Sequence, residues 1–180
     1  MSILGLDFGT KTGVAYGDAG APAARVTLET WALPAGAGEA VGAFMGALRG
    51  HIADRLMRSG VSLVVFEAPY IAQHADARGR LIYSPNQIRR AFGAAAICEE
   101  ICHSRGVACV EVVTSTLKKE FALHGRAQKA DMIAAAKRRG FVPANDHEAD
   151  AAACWLHGLL HTRPELASRY DPILSTGAHP

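Results

Sequence analysis

The chain has 180 residues, of which 49% are hydrophobic and 20% charged, and its formal net charge is +2. That length suits one compact domain with a core of ordinary size, and the composition excludes disordered and fibrous classes. No apolar run approaches the roughly 20 residues that cross a bilayer, and the first residues enter a strand with no signal-like segment, so a cytoplasmic protein without membrane attachment is expected.

Residues 2–6, Ser-Ile-Leu-Gly-Leu, read as a buried strand closed by Asp7. The turn Phe8-Gly9-Thr10-Lys11-Thr12-Gly13 follows, with the two glycines expected to supply its backbone freedom, and residues 14–16 begin a second strand. Residues 25–33 alternate branched and polar side chains and end at Pro34, which predicts a third, antiparallel strand. An amphipathic helix is expected over 39–58, stopped by Ser59-Gly60. The run 61–66, Val-Ser-Leu-Val-Val-Phe, is nearly continuously apolar and marks a central strand covered on both faces, with Glu67 at its end.

The segment 70–84 is polar, basic and irregular, and is read as a mobile loop. Pro85 opens a helix that runs to about residue 105, followed by a strand at 107–113. Short helices are expected at 114–123 and 127–139, and a last helix at 146–161 with Asn145 and Glu148 spaced as a capping box. The pattern predicts an α/β fold, a mixed five-stranded sheet with helices on both faces, over residues 1–162. Residues 163–180 are read as a loosely attached tail.

Carboxylates at the ends of buried strands are costly unless paired or bound to a cation. Asp7 and Glu67 occupy two such ends, and Asp150 lies in the first turns of the last helix, so three separate elements deliver acids suited to divalent cations. Charge is unevenly placed. Residues 114–140 hold seven Lys or Arg against two acids, and Arg78, Arg80, Arg89 and Arg90 follow Glu67, which points to a polyanionic substrate. Cys98, Cys102, Cys109 and Cys154 lie in apolar runs and read as buried free thiols, while His157 and His161 read as packing or surface residues.

The segments ILGLDFGTKTGVAYGD, VVFEAPY and DHEADAAA together resemble the RuvC-type Holliday junction resolvases of the RNase H-like superfamily. The resemblance covers the chain to about residue 160. It implies an RNase H-like fold and a metal-dependent endodeoxyribonuclease that holds two Mg²⁺ or Mn²⁺ ions on Asp7, Glu67, His147 and Asp150. Asp146 is the competitor for the third position. It also implies a homodimer that binds branched DNA, with Lys118 and Lys129 as the leading DNA contacts. Lys119, Arg126, Arg78, Arg80 and Tyr70 join them as candidates, and Tyr83 lies at the far end of the same loop. DFGTKTG alone is also close to the RuvX/YqgF branch, whose members act on RNA, while the EAP and HEAD segments favour the RuvC side. Action on flaps, forks or RNA, and a binding module without catalysis, therefore stand as alternatives.

Overall fold

The structure is a computed structural model and describes residues 1–35, 40–70 and 83–171. Strands β1 (Ser2–Asp7), β2 (Lys11–Asp18), β3 (Thr27–Ala32), β4 (Val61–Glu67) and β5 (Ala108–Val112) form one sheet in the order β3-β2-β1-β4-β5. β1 pairs antiparallel with β2 and parallel with β4, and β4 pairs parallel with β5. Leu6 stands opposite Phe66, so Asp7 and Glu67 emerge side by side one residue later. The predicted mixed five-stranded sheet is therefore present.

Helices α1 (Val41–Ser59) and α2 (Pro85–Ser104) cover one face, where Leu4, Leu6, Val64 and Phe66 meet Phe44, Leu48, Ile52 and Cys98. Helices α3 (Thr114–Ala122), α4 (Lys129–Arg138) and α5 (Asp146–Thr162) cover the other, where Ile3, Ala15 and Val65 meet Trp155, Phe121 and Met132. Two-sided cover explains why β1 and β4 are almost uniformly apolar.

α5 lies unusually close to the sheet, and glycines permit this. A Cβ on Gly13 would overlap the His147 carbonyl oxygen, and one on Gly5 would fall 2.5 Å from the Trp155 nitrogen. The sequence reading gave Gly13 to the turn. Neither Gly9 nor Gly13 has positive φ, however, so Gly13 serves helix packing instead. The turn is held by Thr12, whose buried hydroxyl donates to the Gly9 carbonyl at 2.8 Å.

The expectation of a tail free from residue 163 is corrected as far as residue 170. A 3-10 segment, Pro164–Tyr170, follows α5 directly and buries Tyr170 against Trp155 and Phe141. Arg139 locks it, donating to the carbonyls of Tyr170, Glu120 and Phe121 at 2.7, 2.9 and 3.0 Å. This arginine is buried, so it leaves the basic surface that the sequence count assigned it to. Residues 36–39, at the predicted start of α1, and 172–180 lie outside the described residues.

Candidate active site

Three elements converge at one edge of the sheet. β1 delivers Asp7, β4 delivers Glu67, and the first turns of α5 deliver His147 and Asp150. Asn145 caps α5 by accepting from the Glu148 amide at 3.0 Å. The Glu148 carboxylate accepts from the Ala144 amide at 2.7 Å and from the Thr30 hydroxyl at 3.0 Å. Glu148 therefore helps fix the helix start, but the predicted capping box is only half formed: its carboxylate accepts from the Ala144 amide rather than from that of Asn145.

The electrostatics of the group are unfavourable as they stand. Burial, reinforced by the charges of Asp7 and Glu67, pushes the Asp150 carboxyl up to about 7. Its Oδ1 is buried with no hydrogen-bond partner among the described residues. Burial also raises Glu67, opposed by a 2.5 Å hydrogen bond donated by the Thr114 hydroxyl. His147 Nδ1 lies 3.1 Å from Asp7 Oδ2, and that bond raises the imidazole's pKa.

No three of Asp7, Glu67, His147 and Asp150 bring ligand atoms within 4.8 Å of one another, so the groups ring the site rather than closing on it. Three carboxylates and one imidazole form an oxygen-rich donor set of the kind that suits Mg²⁺ or Mn²⁺. A divalent cation would satisfy the orphaned Asp150 oxygen and remove the mutual repulsion, so the residues present fit the group.

Asp146, the competing third ligand, is engaged elsewhere. Its carboxylate pairs with Lys129, which holds it below the usual carboxylate range. The predicted DNA contacts divide into four sets. Lys118 and Lys129 lie within electrostatic reach of the site, the first lowering Glu67 and Asp150, the second feeling Asp150 and Asp7. Lys119 and Arg126 are exposed, and Lys119 lines a separate concavity with Ser115, Thr116 and Gly125. Tyr70 is 73% exposed, at the rim of a cleft of about 300 Å³ whose wall includes Asp7, Glu67 and Thr114. Arg78 and Arg80, and nearly all of the predicted loop at 70–84, lie outside the described residues.

Sequence reasoning missed Thr114. It follows β5 by two residues and meets Glu67 only because Val112 pairs with Glu67 across β4 and β5, a register that no local pattern announces.

Three solved structures share this arrangement of chain. Thermus thermophilus RuvC matches at a TM-score of 0.63 and 19% identity over 89% of this chain and 95% of its own. T. thermophilus RuvC in complex with a Holliday junction substrate matches at 0.70 and 20% identity, over 92% and 97%. The fold is that of RuvC. The yeast mitochondrial Holliday junction resolvase Ydc2 matches at 0.54 and 12% identity, over 91% of this chain and 82% of its own. No protein-family model and no curated protein matches the sequence, so the RuvC likeness is carried by the path of the chain. The RNase H-like fold expected from the opening and closing motifs is thus present, and within the RuvC fold Asp7 and Glu67 sit on adjacent parallel strands.

Proposed function

We propose that the protein is a divalent-cation-dependent endonuclease that resolves four-way DNA junctions by paired, symmetric nicks. The observation that carries this reading is the convergence of Asp7, Glu67 and Asp150 from three elements, with a buried Asp150 oxygen left unpartnered. The likeness to a RuvC solved on a Holliday junction supports the choice of substrate.

Asp7, Glu67, His147 and Asp150 are the residues that would hold two Mg²⁺ or Mn²⁺ ions. When bound, such ions supply an acidified water and neutralise charge on the leaving oxygen. The chain's own side chains then do four things. Thr114 orients the Glu67 carboxylate through its hydroxyl. His147 and Asp7 hold one another in register across β1 and α5. Lys118, Lys119, Arg126 and Lys129, with Arg78 and Arg80, grip phosphates without reading sequence. Tyr70, exposed at the cleft, offers a face on which an unpaired base at the branch point stacks, worth ~1–3 kcal/mol.

Paired nicks on a two-fold junction call for two copies of the chain. The outer face of α2, where Phe92 is 52% exposed, is the candidate contact between them.

The test is cleavage of labelled four-way junctions, flaps, forks, duplex and structured RNA with Mg²⁺ or Mn²⁺, for the wild type beside Asp7→Asn. Symmetric nicks on the junction, abolished in the variant while junction binding persists, are expected. Preferential cutting of flaps, forks or RNA would overturn the substrate and keep the site. Binding without cutting by the wild type would overturn the catalytic reading.

A further inference from the structure

The far end of α5 carries a second group of ligating side chains. His157 and His161 are four residues apart on one face of the helix, with ring centroids 4.1 Å apart. Glu120, from α3, reaches both: its Oε2 lies 2.7 Å from His157 Nδ1 and its Oε1 3.3 Å from His161 Nε2. All three residues offer ligand atoms within 4.8 Å of one another, a closeness that the Asp7 group does not reach.

We propose that Glu120, His157 and His161 form a site for a Zn²⁺-class transition cation that clamps α3 to α5. Four features support it. Two imidazoles and one carboxylate are borderline donors that favour Zn²⁺, Co²⁺ or Ni²⁺ over Mg²⁺. Bonds of ~2.0–2.2 Å in a tetrahedral site put ligand atoms about 3.3–3.6 Å apart, so the His161 pair at 3.3 Å already fits and the His157 pair at 2.7 Å must open by less than about 1 Å. His157 is buried while His161 is 60% exposed, so the ion would be anchored on one side and open to solvent on the other. A concavity of about 210 Å³, lined by Leu63, Val65, Val110 and Thr162, adjoins both histidines and leaves room for a water as fourth ligand.

His157 lies seven residues beyond Asp150, about 10 Å along the helix at ~1.5 Å per residue, so the two donor sets are separate. In the absence of an ion, protons bridge the same N···O pairs and the trio serves as a hydrogen-bonded tie between helices. On binding, each neutral imidazole carries its proton on the ring nitrogen away from the ion, so the ligating nitrogen is free and no oxidation state changes.

The experiment is titration of Co²⁺ and Zn²⁺ into the full-length chain after chelator treatment, in buffer already saturated with Mg²⁺. Wild type, Asp7→Asn, Glu120→Gln and His161→Ala are compared by visible absorption, calorimetry and thermal denaturation. One equivalent of tetrahedral Co²⁺ is expected, with Zn²⁺ raising the melting temperature. Asp7→Asn should retain the site, whereas Glu120→Gln and His161→Ala should each weaken it about tenfold or more. His161 is exposed, so its loss should leave folding intact, which circular dichroism of the variant checks.

Binding lost in Asp7→Asn, unchanged in both other variants, or accompanied by thiolate-to-cobalt bands would overturn the proposal. So would no binding by the wild type. Thiolate-to-cobalt bands would assign the ion to the clustered thiols of Cys98, Cys102 and Cys109. Junction cleavage is decided by the separate Asp7 site, and its outcome leaves this one untouched.

Discussion

Asp150 is the residue on which site and stability meet. Its carboxyl is buried beside two other acids, and in the metal-free protein its pKa is raised to about 7. A raised acid means that the folded state binds its proton more tightly than the unfolded chain does. Its contribution to stability is therefore largest below the ordinary carboxylate range and is lost as pH climbs towards 7 and beyond. Glu67, raised by burial, acts in the same direction. His147 does too: raised by its bond to Asp7, it stabilises the fold below its unfolded pKa, and that gain is lost as pH rises through the folded value. The metal-free protein should thus lose stability as pH rises from about 4 towards 7 through the two carboxyls, and further above about pH 6.5 through His147. Asp150→Asn, which removes the buried charge, is expected to stabilise it at pH 8 by about 2 kcal/mol and to have little effect near pH 3.5, below the ordinary carboxyl pKa. Chelator-treated samples unfolded in urea at both pH values check this, and a variant less stable than wild type at pH 8 would contradict it. Saturating Mg²⁺ should remove the advantage of Asn.

Elements decide where those residues meet. α5 presses on β1 and β2 through Gly5 and Gly13, and the backbone of His147 occupies the space that a side chain at residue 13 would need. Gly13→Ala should push the start of α5 outward, costing ~1–3 kcal/mol by overpacking. It should also separate His147 and Asp150 from Asp7, so cleavage is expected to fall more steeply than melting temperature alone accounts for. Parallel measurement of both, at a temperature where the variant remains folded, separates the two effects. Arg139 plays the matching role for the far side of the molecule. It draws the end of α3 and the 3-10 segment together through three carbonyls. Arg139→Ala strands those acceptors and should destabilise the fold by about 3 kcal/mol, seen as a lower denaturation midpoint. Arg139→Lys should recover little, since one ammonium cannot reproduce the planar fork.

At the scale of the whole molecule, Lys118 and Lys129 bring positive charge within reach of the acidic centre. Net charge is only +2, so attraction for a polyanion must come from placement rather than from total charge. Lys118, Lys119, Arg126 and Lys129 are the described candidates for phosphate contact. Each phosphate contact removed should lower the slope of log affinity against log salt by about 0.9. A four-fold alanine variant, titrated with junction DNA from low to moderate salt, is expected to lose most of that dependence while keeping its melting temperature. Lys129 should contribute less than the others because Asp146 already holds it. An unchanged slope would remove these residues from the interface.

Much of this protein was legible in one dimension. The strands were readable because burial on both faces leaves a nearly continuous apolar run, and the acids stood out because a carboxylate ending such a run needs a partner. Helix starts at Pro85 and Asn145 were marked by their caps. Local chemistry of that kind is written in neighbouring residues. What only the tertiary structure decided are the meetings between distant ones: Thr114 on Glu67 through strand register, Glu120 on His157 and His161, and Gly13 under His147. It also docked residues 164–170, which look like a tail until Arg139 and the aromatic cluster supply their partners. The reason is physical. Propensity and periodicity act over a few residues, whereas sheet register and helix packing bring together groups 140 positions apart, as with Asp7 and His147.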